Sequence, residues 1–391
     1  MTINPQPDTW NAQGSENPGS FSVVVPTYGR VRQVQRLLES LSAARSHHSG
    51  AVEVLIIDDS PPEQAAALRK LCAKHAARYI AGPGNVREKR NLGVIQSAHE
   101  YIFFVDSDCW VTPDIFRAYN AVYATHPTAG GAAGPVEFVG ASSFVWSVIS
   151  QSQFVQFANA AYQGKEVDWA ACANVSFKRS TLEKIGLFDT SLPFRLGGDD
   201  VDLCLRAKQW GLPLLSATGA VVYHERETWA SWPAILKRTY RWGRVEYHLC
   251  KRHLSLRRLT FPRFWVVAAL MLLAGILKAL LAQQTLWLLL PVTWFVLSLA
   301  LFSVMDFLSA RPRPADILPR LCAALPELTY QFGLCLEALA RGDVAGMCWG
   351  LYPAANWAET VWQPELCNMW ANLLALLGAW LWINWLISVM K

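Results

Sequence analysis

Residues 21–25, FSVVV, form a β-branched apolar run that ends at Pro26, which predicts a buried strand halted by a residue unable to continue a hydrogen-bond ladder. Val34, Leu37, Leu38 and Leu41 then recur at the i, i+3, i+4, i+7 spacing of one helix face, and Gly50 ends the connection before the apolar run VEVLIID. The cycle repeats, with a helix expected over 65–77, a short strand over 78–81, a helix over 87–98 and the apolar strand YIFFVD ending in acids. This alternation predicts an α/β domain with a mostly parallel, Rossmann-like sheet. Beyond Pro113 the signals shorten, as in AGGAAGPVEF, and 141–168 is irregular. In PFRLGGDDVDLCLRAKQWG a Gly197-Gly198 turn precedes a helix opened by Asp199 and Asp200, whose charges also suit the helix dipole. Asp202 is placed to pair with Arg206 at i, i+4.

After Thr260 the pattern changes. Apolar runs over 264–281, 286–308 and 369–390 each approach the ~20 residues that a bilayer crossing requires. The segment 318–340 mixes Arg320, Glu327 and Glu337 with leucines and predicts an interfacial helix. Composition agrees with this division: 52% of the 391 residues are hydrophobic, 17% are charged, and there are 18 Trp, against about 25% charged in an ordinary soluble domain. The net charge of +5 gathers at Lys237, Arg238, Arg241, Arg244, Lys251, Arg252, Arg257, Arg258 and Arg263, just before the first apolar run. Basic residues there mark the cytoplasmic side of an inner membrane rather than a nucleic-acid surface. Nine cysteines without a CxxC pair, three of them (Cys72, Cys172, Cys204) in apolar stretches, fit buried thiols in a reducing compartment. The first twenty residues are polar, without the apolar stretch of a secretory signal. The expected layout is a disordered tail over 1–20, a cytoplasmic catalytic domain over 21–250 and a multi-pass membrane region over 251–391.

In open α/β sheets, chemistry concentrates beyond the carboxyl ends of the strands. Those positions here hold Pro26-Thr27-Tyr28-Gly29-Arg30, then Asp58-Asp59-Ser60, then Asp106-Ser107-Asp108. Alternate side chains of an extended segment point the same way, so Asp106 and Asp108 are expected to address one site, and hard oxygen ligands suit Mg2+ or Mn2+ with a substrate diphosphate.

The ordered segments FSVVVPTYGR, VEVLIIDDS, NVREKRNLG, FFVDSDCW and GGDDVDLCLRA resemble the inverting glycosyltransferases of family 2, with the GT-A fold, over roughly 21–248. The resemblance implies that Pro26, Thr27, Tyr28 and Arg30 line a nucleotide-sugar pocket, that Asp58 or Asp59 bonds the base, uracil, and that Arg90 meets the diphosphate. Asp106 would lie by the ribose and sugar, with Asp108 holding the divalent metal. Asp106 and His224, which follows the apolar strand AVVY, are further candidate ligands. Asp200, or Asp199 beside it, aligns with the catalytic base, a carboxylate that accepts the proton of the attacking hydroxyl. Arg238-Thr239-Tyr240-Arg241-Trp242 matches the (Q/R)xxRW motif of membrane-bound members such as ceramide glucosyltransferase and the polysaccharide synthases. It implies that Arg238, Arg241 and Trp242 serve the acceptor and diphosphate, although the same residue types also anchor interfacial helices.

The implied activity is transfer of a sugar from a nucleotide-sugar to a lipid or lipid-linked acceptor; a processive polysaccharide synthase is the alternative, disfavoured by the few spans. A haloacid dehalogenase-type phosphatase fits poorly, because Cys109-Trp110 follow the DxD and two strand units precede it. No GxGxxG opens a helix after a strand, which argues against a dehydrogenase, and the full set of acids argues against a non-catalytic membrane scaffold.

Overall fold

The computed structural model describes residues 19–155, 157–164, 166–193, 197–260, 263–310, 317–352 and 374–389, so all but the last two residues of the expected tail lie outside the described residues. In chain order the elements begin with β1 (Phe21–Thr27), α1 (Val31–Ser46), β2 (Val52–Asp58), α2 (Pro62–Lys74), β3 (Arg78–Ala81), α3 (Val86–Gln96) and β4 (Tyr101–Phe104). Then follow β5 (Cys109–Val111), α4 (Ile115–Thr125), β6 (Gly131–Ala133), β7 (Val136–Val139), α5 (Phe144–Ile149), α6 (Phe157–Ala160), β8 (Glu166–Val167) and β9 (Val175–Lys178). The remainder comprises α7 (Arg179–Ile185), α8 (Asp199–Gln209), β10 (Leu214–Ser216), β11 (Val222–Glu225), α9 (Trp232–Arg252), β12 (Arg257–Leu259), α10 (Phe264–Ala282), α11 (Leu290–Ala310), α12 (Ile317–Leu339), β13 (Trp349–Leu351) and α13 (Leu374–Val389).

The chain divides into two compact units, one built from Met1–Val139, Phe157–Thr190 and Asp200–Glu225, the other from Gly140–Gln156, Ser191–Asp199 and Arg226–Lys391. In the first, an eight-stranded sheet has the order β3-β2-β1-β4-β9-β6-β10-β8. β1, β2, β3 and β4 pair in parallel, as the alternating pattern predicts, while β9 runs antiparallel between β4 and β6. The helical stripe of α1 is buried at Val34, Leu37, Leu38, Leu41 and Ala44, on the same core as Phe103, Phe116 and Tyr119. Each of these valine and leucine side chains contributes roughly 1.5–3 kcal/mol relative to exposure. α3 covers the opposite face, where a Cβ on Gly93 would lie 2.3 Å from Cγ1 of Val24, so only glycine lets the helix settle on β1. α2 starts three residues before the expected 65, because Pro62 at its first turn is pre-set for helix and its missing N–H has no partner to lose. A second sheet, β5-β11-β7, is attached to this unit and carries the ends of two site segments.

The second unit is mostly helical and includes the antiparallel pair β12-β13. α9 and α12 cross at glycines: a Cβ on Gly243 would stand 1.8 Å from the carbonyl oxygen of Tyr330, and one on Gly333 2.2 Å from that of Tyr240. Glu337 of α12, 2% exposed, accepts from Arg244 (2.6 Å) and His248 (2.9 Å) of α9 and pairs with Arg341 (2.6 Å). The other face of α12 exposes Leu318, Leu321, Leu325, Phe332, Leu336 and Leu339, as an amphipathic helix over 318–340 requires. Among the described residues one helix, α10, is long and apolar enough to cross a membrane, and it leaves Leu272, Leu273, Leu277, Leu280 and Leu281 exposed. The expected second and third runs correspond to shorter apolar helices at Thr285–Leu301 and Leu374–Val389, and the start of the third lies outside the described residues. Phe264, Trp287, Trp294, Ala375, Ala379 and Ile383 share one apolar cluster.

Candidate active site

The parallel register sets Thr27 of β1 beside Asp58 of β2, and Val105 continues past β4 by donating to the carbonyl of Val24 (3.4 Å). Three neighbouring strands therefore deliver 26–30, 58–60 and 106–108 to one carboxyl edge. Thr27 is buried and Tyr28 is 60% exposed. Asp58, 1% exposed, is used inside the fold, accepting from the amide and hydroxyl of Ser60 and from the Tyr79 hydroxyl (2.9 Å). Asp59 is the more accessible of the two and pairs with Lys89, whose ammonium also donates to the carbonyl of Thr27. Lys89 was not among the expected site residues, although NVREKRNLG contains it; a lysine on a helix face reads as solvated until the fold buries it.

The DxD is not an extended segment. The Cys109 amide donates to the carbonyl of Asp106 (3.1 Å) and closes a turn, so the two acids sit on a turn and not on a straight strand end. Asp106 pairs with Arg90 (3.1 Å), and the Arg90 guanidinium also lies over Phe188 at 5.5 Å. Asp108, 5% exposed, pairs with Arg30 (2.8 Å), itself 39% exposed in its side chain.

Antiparallel pairing of β5 with β11 puts His224 opposite Cys109, and His224 Nε2 comes 3.7 Å from Asp108 Oδ1. Nδ1 of His224 lies 2.9 Å from the carbonyl oxygen of Glu225, which can only accept, so Nδ1 carries a proton and Nε2 is the ring nitrogen that faces the carboxylate. A carboxylate and an imidazole nitrogen facing each other across such a gap, with the imidazole held from behind, form a donor set that fits a divalent cation. Asp108, Cys109 and His224 are all buried and their ligand atoms lie within 4.8 Å of one another. Cys109 had no signal in the sequence beyond adjacency. Burial, and then the charges of Asp108 and Asp106, push its thiol well above the usual range, leaving the carboxylate and imidazole as the ready ligands. The Cys72 and Cys204 thiols, buried as expected, are pushed up to about 11 and about 12 by desolvation first.

At α8, Asp199 is 4% exposed and Asp200 is half-buried, its Oδ1 accepting from the amide of Val201 (2.9 Å). Asp202 makes the expected pair with Arg206 (2.9 Å), which also donates to the carbonyls of Ile185 and Leu187 and so ties α8 to the end of α7. In the second unit, Arg238 stacks over Trp229 (4.0 Å), and Trp242 packs against Trp229 (6.0 Å) and Phe154 (5.7 Å). Trp242 also lies against Gly197 and is half-buried. Arg241 is half-buried.

Residues 18–244 match the family profile described as Glycosyltransferase like family 2. The chain belongs to that family. Among curated family relatives, the poly(ribitol-phosphate) β-N-acetylglucosaminyltransferase TarS of Staphylococcus aureus is 29% identical over 111 residues, covering 27% of this chain and 19% of TarS. The glycosyltransferase AglE of Haloferax volcanii is 22% identical over 264 residues, covering 63% of this chain and 79% of AglE. The match thus spans less than a fifth of TarS. Among solved structures, GalNAc-T7 with UDP, GalNAc and Mn2+ aligns at TM-score 0.43 and 15% identity over 61% of this chain and 51% of that one. Residues 1–349 of S. aureus TarS align at TM-score 0.40 and 15% identity over 88% and 91%.

Proposed function

We propose that this family 2 chain is a membrane-bound, inverting, metal-dependent glycosyltransferase that moves a sugar from a uridine diphosphate sugar to a lipid or lipid-linked acceptor at the cytoplasmic face of the inner membrane. The observation that carries the reading is the meeting of Asp108 and His224 Nε2 at the strand edge that also holds Thr27, Asp59 and Asp106. Asp59 bonds the base, with Lys89 holding its carboxylate in place. Tyr28 flanks the nucleotide, and Asp106, oriented by Arg90, lies by the ribose and sugar. Asp108 and His224 would hold Mg2+ or Mn2+, which would supply charge neutralisation for the leaving diphosphate. Arg30 and Arg90 add cationic donors toward the same phosphates. Asp200, with Asp199 as the neighbouring candidate, accepts the proton of the acceptor hydroxyl as that oxygen attacks the anomeric carbon and the nucleoside diphosphate departs.

The membrane assignment rests on the apolar surface of α10, the basic cluster before it and the apolar stripe of α12. A polymer is the second acceptor class, favoured by the poly(ribitol-phosphate) in the name of TarS. Membranes containing the full chain, incubated with a panel of labelled nucleotide sugars, test the reading. Label passing from a uridine diphosphate sugar into the lipid phase is expected; label in a water-soluble polymer selects the second class, and no transfer from any donor overturns the proposal.

A further inference from the structure

The chain enters α8 through Gly197 and Gly198, at φ +99° and +75°. Both glycines are pressed onto α9. A Cβ on Gly197 would lie 2.8 Å from Cδ1 and 3.2 Å from Nε1 of Trp242, and one on Gly198 would lie 2.1 Å from Cγ1 of Val245. Trp242 and Val245 are three residues apart and share one helix face, so together they form the floor on which the turn rests. That floor is itself braced. The Trp242 ring is backed by Phe154 and Trp229, Phe154 in turn meets Tyr330 of α12 at 5.2 Å, and the close crossing at Gly243 and Gly333 prevents α9 from sliding along α12. The residue type also matters, because an indole presenting its pyrrole edge to a glycine backbone fills a flat, extended area that a small side chain would leave empty.

We propose that Trp242 is a positioning residue: the pyrrole edge of its indole carries the Gly197-Gly198 turn and thereby sets where α8 begins and where its first acids, Asp199 and Asp200, are held. This inference rests on the proposed role of those acids as the base. It differs from an acceptor platform in where the lost energy goes. A positioning residue acts on the placement of the base, so its removal lowers kcat; a platform contacts the acceptor, so its removal raises KM. Misplacement of a catalytic group by about 1 Å costs on the order of 100-fold in rate.

The test uses the full-length chain purified in detergent, with hydrogen exchange of the backbone amides at 198–201 measured beside steady-state kinetics. In Trp242→Ala, exchange at those amides is expected to rise about tenfold or more, and kcat to fall about 100-fold, while the acceptor KM and the nucleotide Kd stay within about twofold. Trp242→Phe, which keeps a ring beneath the turn, is expected to recover most of both losses. Val245→Ala, beneath Gly198, gives the same signature at smaller amplitude and serves where Trp242→Ala fails to fold. Unchanged exchange, a rise in acceptor KM alone, or faster exchange with undiminished kcat each overturns the proposal. If Asp199→Asn and Asp200→Asn both keep full turnover, the base assignment fails instead, and the exchange of 198–201 in Trp242→Ala still reports whether the indole holds the turn.

Discussion

The carboxyl edge of β1, β2 and β4 and the crossing of α9 with α12 arrange their side chains by different means. At the sheet edge, strand register does the placing: once Phe21 pairs with Val52 and Tyr101, the residues beyond each strand arrive together whatever their side chains are. At the crossing, no ladder exists, and the position of Arg238, Arg241 and Trp242 depends on two glycines, an aromatic cluster and one buried carboxylate. The edge should therefore tolerate changes in its side chains without moving, losing only their chemistry, whereas the crossing should move when its packing is altered.

The largest expected effect is at the edge. Asp108→Asn keeps shape and removes charge, so turnover and its dependence on added Mg2+ or Mn2+ should be lost while the melting temperature stays near that of the parent; metal-dependent turnover in this variant would show that the carboxylate is not a ligand. Next comes Asp200→Asn, which should retain nucleotide-sugar binding by calorimetry and lose roughly 100- to 10,000-fold in transfer, with Asp199→Asn milder. The reverse order would pass the base role to Asp199.

The crossing is probed through stability. Gly333→Ala places a methyl against the Tyr240 carbonyl and should cost roughly 1–3 kcal/mol, read as a lower midpoint of thermal or denaturant unfolding. A neutral result would mean that α9 and α12 are free to separate, and the contrast with the sheet edge would collapse. The smallest effect concerns His248, which burial holds below the ordinary imidazole range despite its hydrogen bond to Glu337. The unfolded chain then takes up this proton at higher pH than the folded one, so acidification favours unfolding. Stability should fall as the pH drops through and below about 6.5, and His248→Gln should flatten that part of the profile.

Much of the edge was legible before folding. The α1 stripe, the parallel strands and the acids that follow them are local facts of period and strand end, and each element carries its own signal. The DxD shows where this stops. Alternation along a strand end does not name the partners of its acids, and the turn closed by the Cys109 amide sets Asp106 on Arg90 and Asp108 beside Arg30 and His224. The difference between a strand end and a tight turn rests on one backbone hydrogen bond.

The sequence by itself determined the alternating α/β order, the helical apolar region after Thr260, the amphipathic character of 318–340, the Asp202–Arg206 pair and the segments that crowd the sheet edge. Periodicity and i, i+4 spacing act within one element, so no distant partner is needed to read them. Only the tertiary structure decided that His224 faces Asp108, that Lys89 is drawn inside to Asp59 and Thr27, and that Trp242 lies under Gly197. These contacts join segments far apart in the chain, through the antiparallel register of β5 with β11, the seating of α3 on β1 and the packing of α9 beneath a glycine turn. Each depends on how complementary surfaces close on one another, a property that no single segment carries.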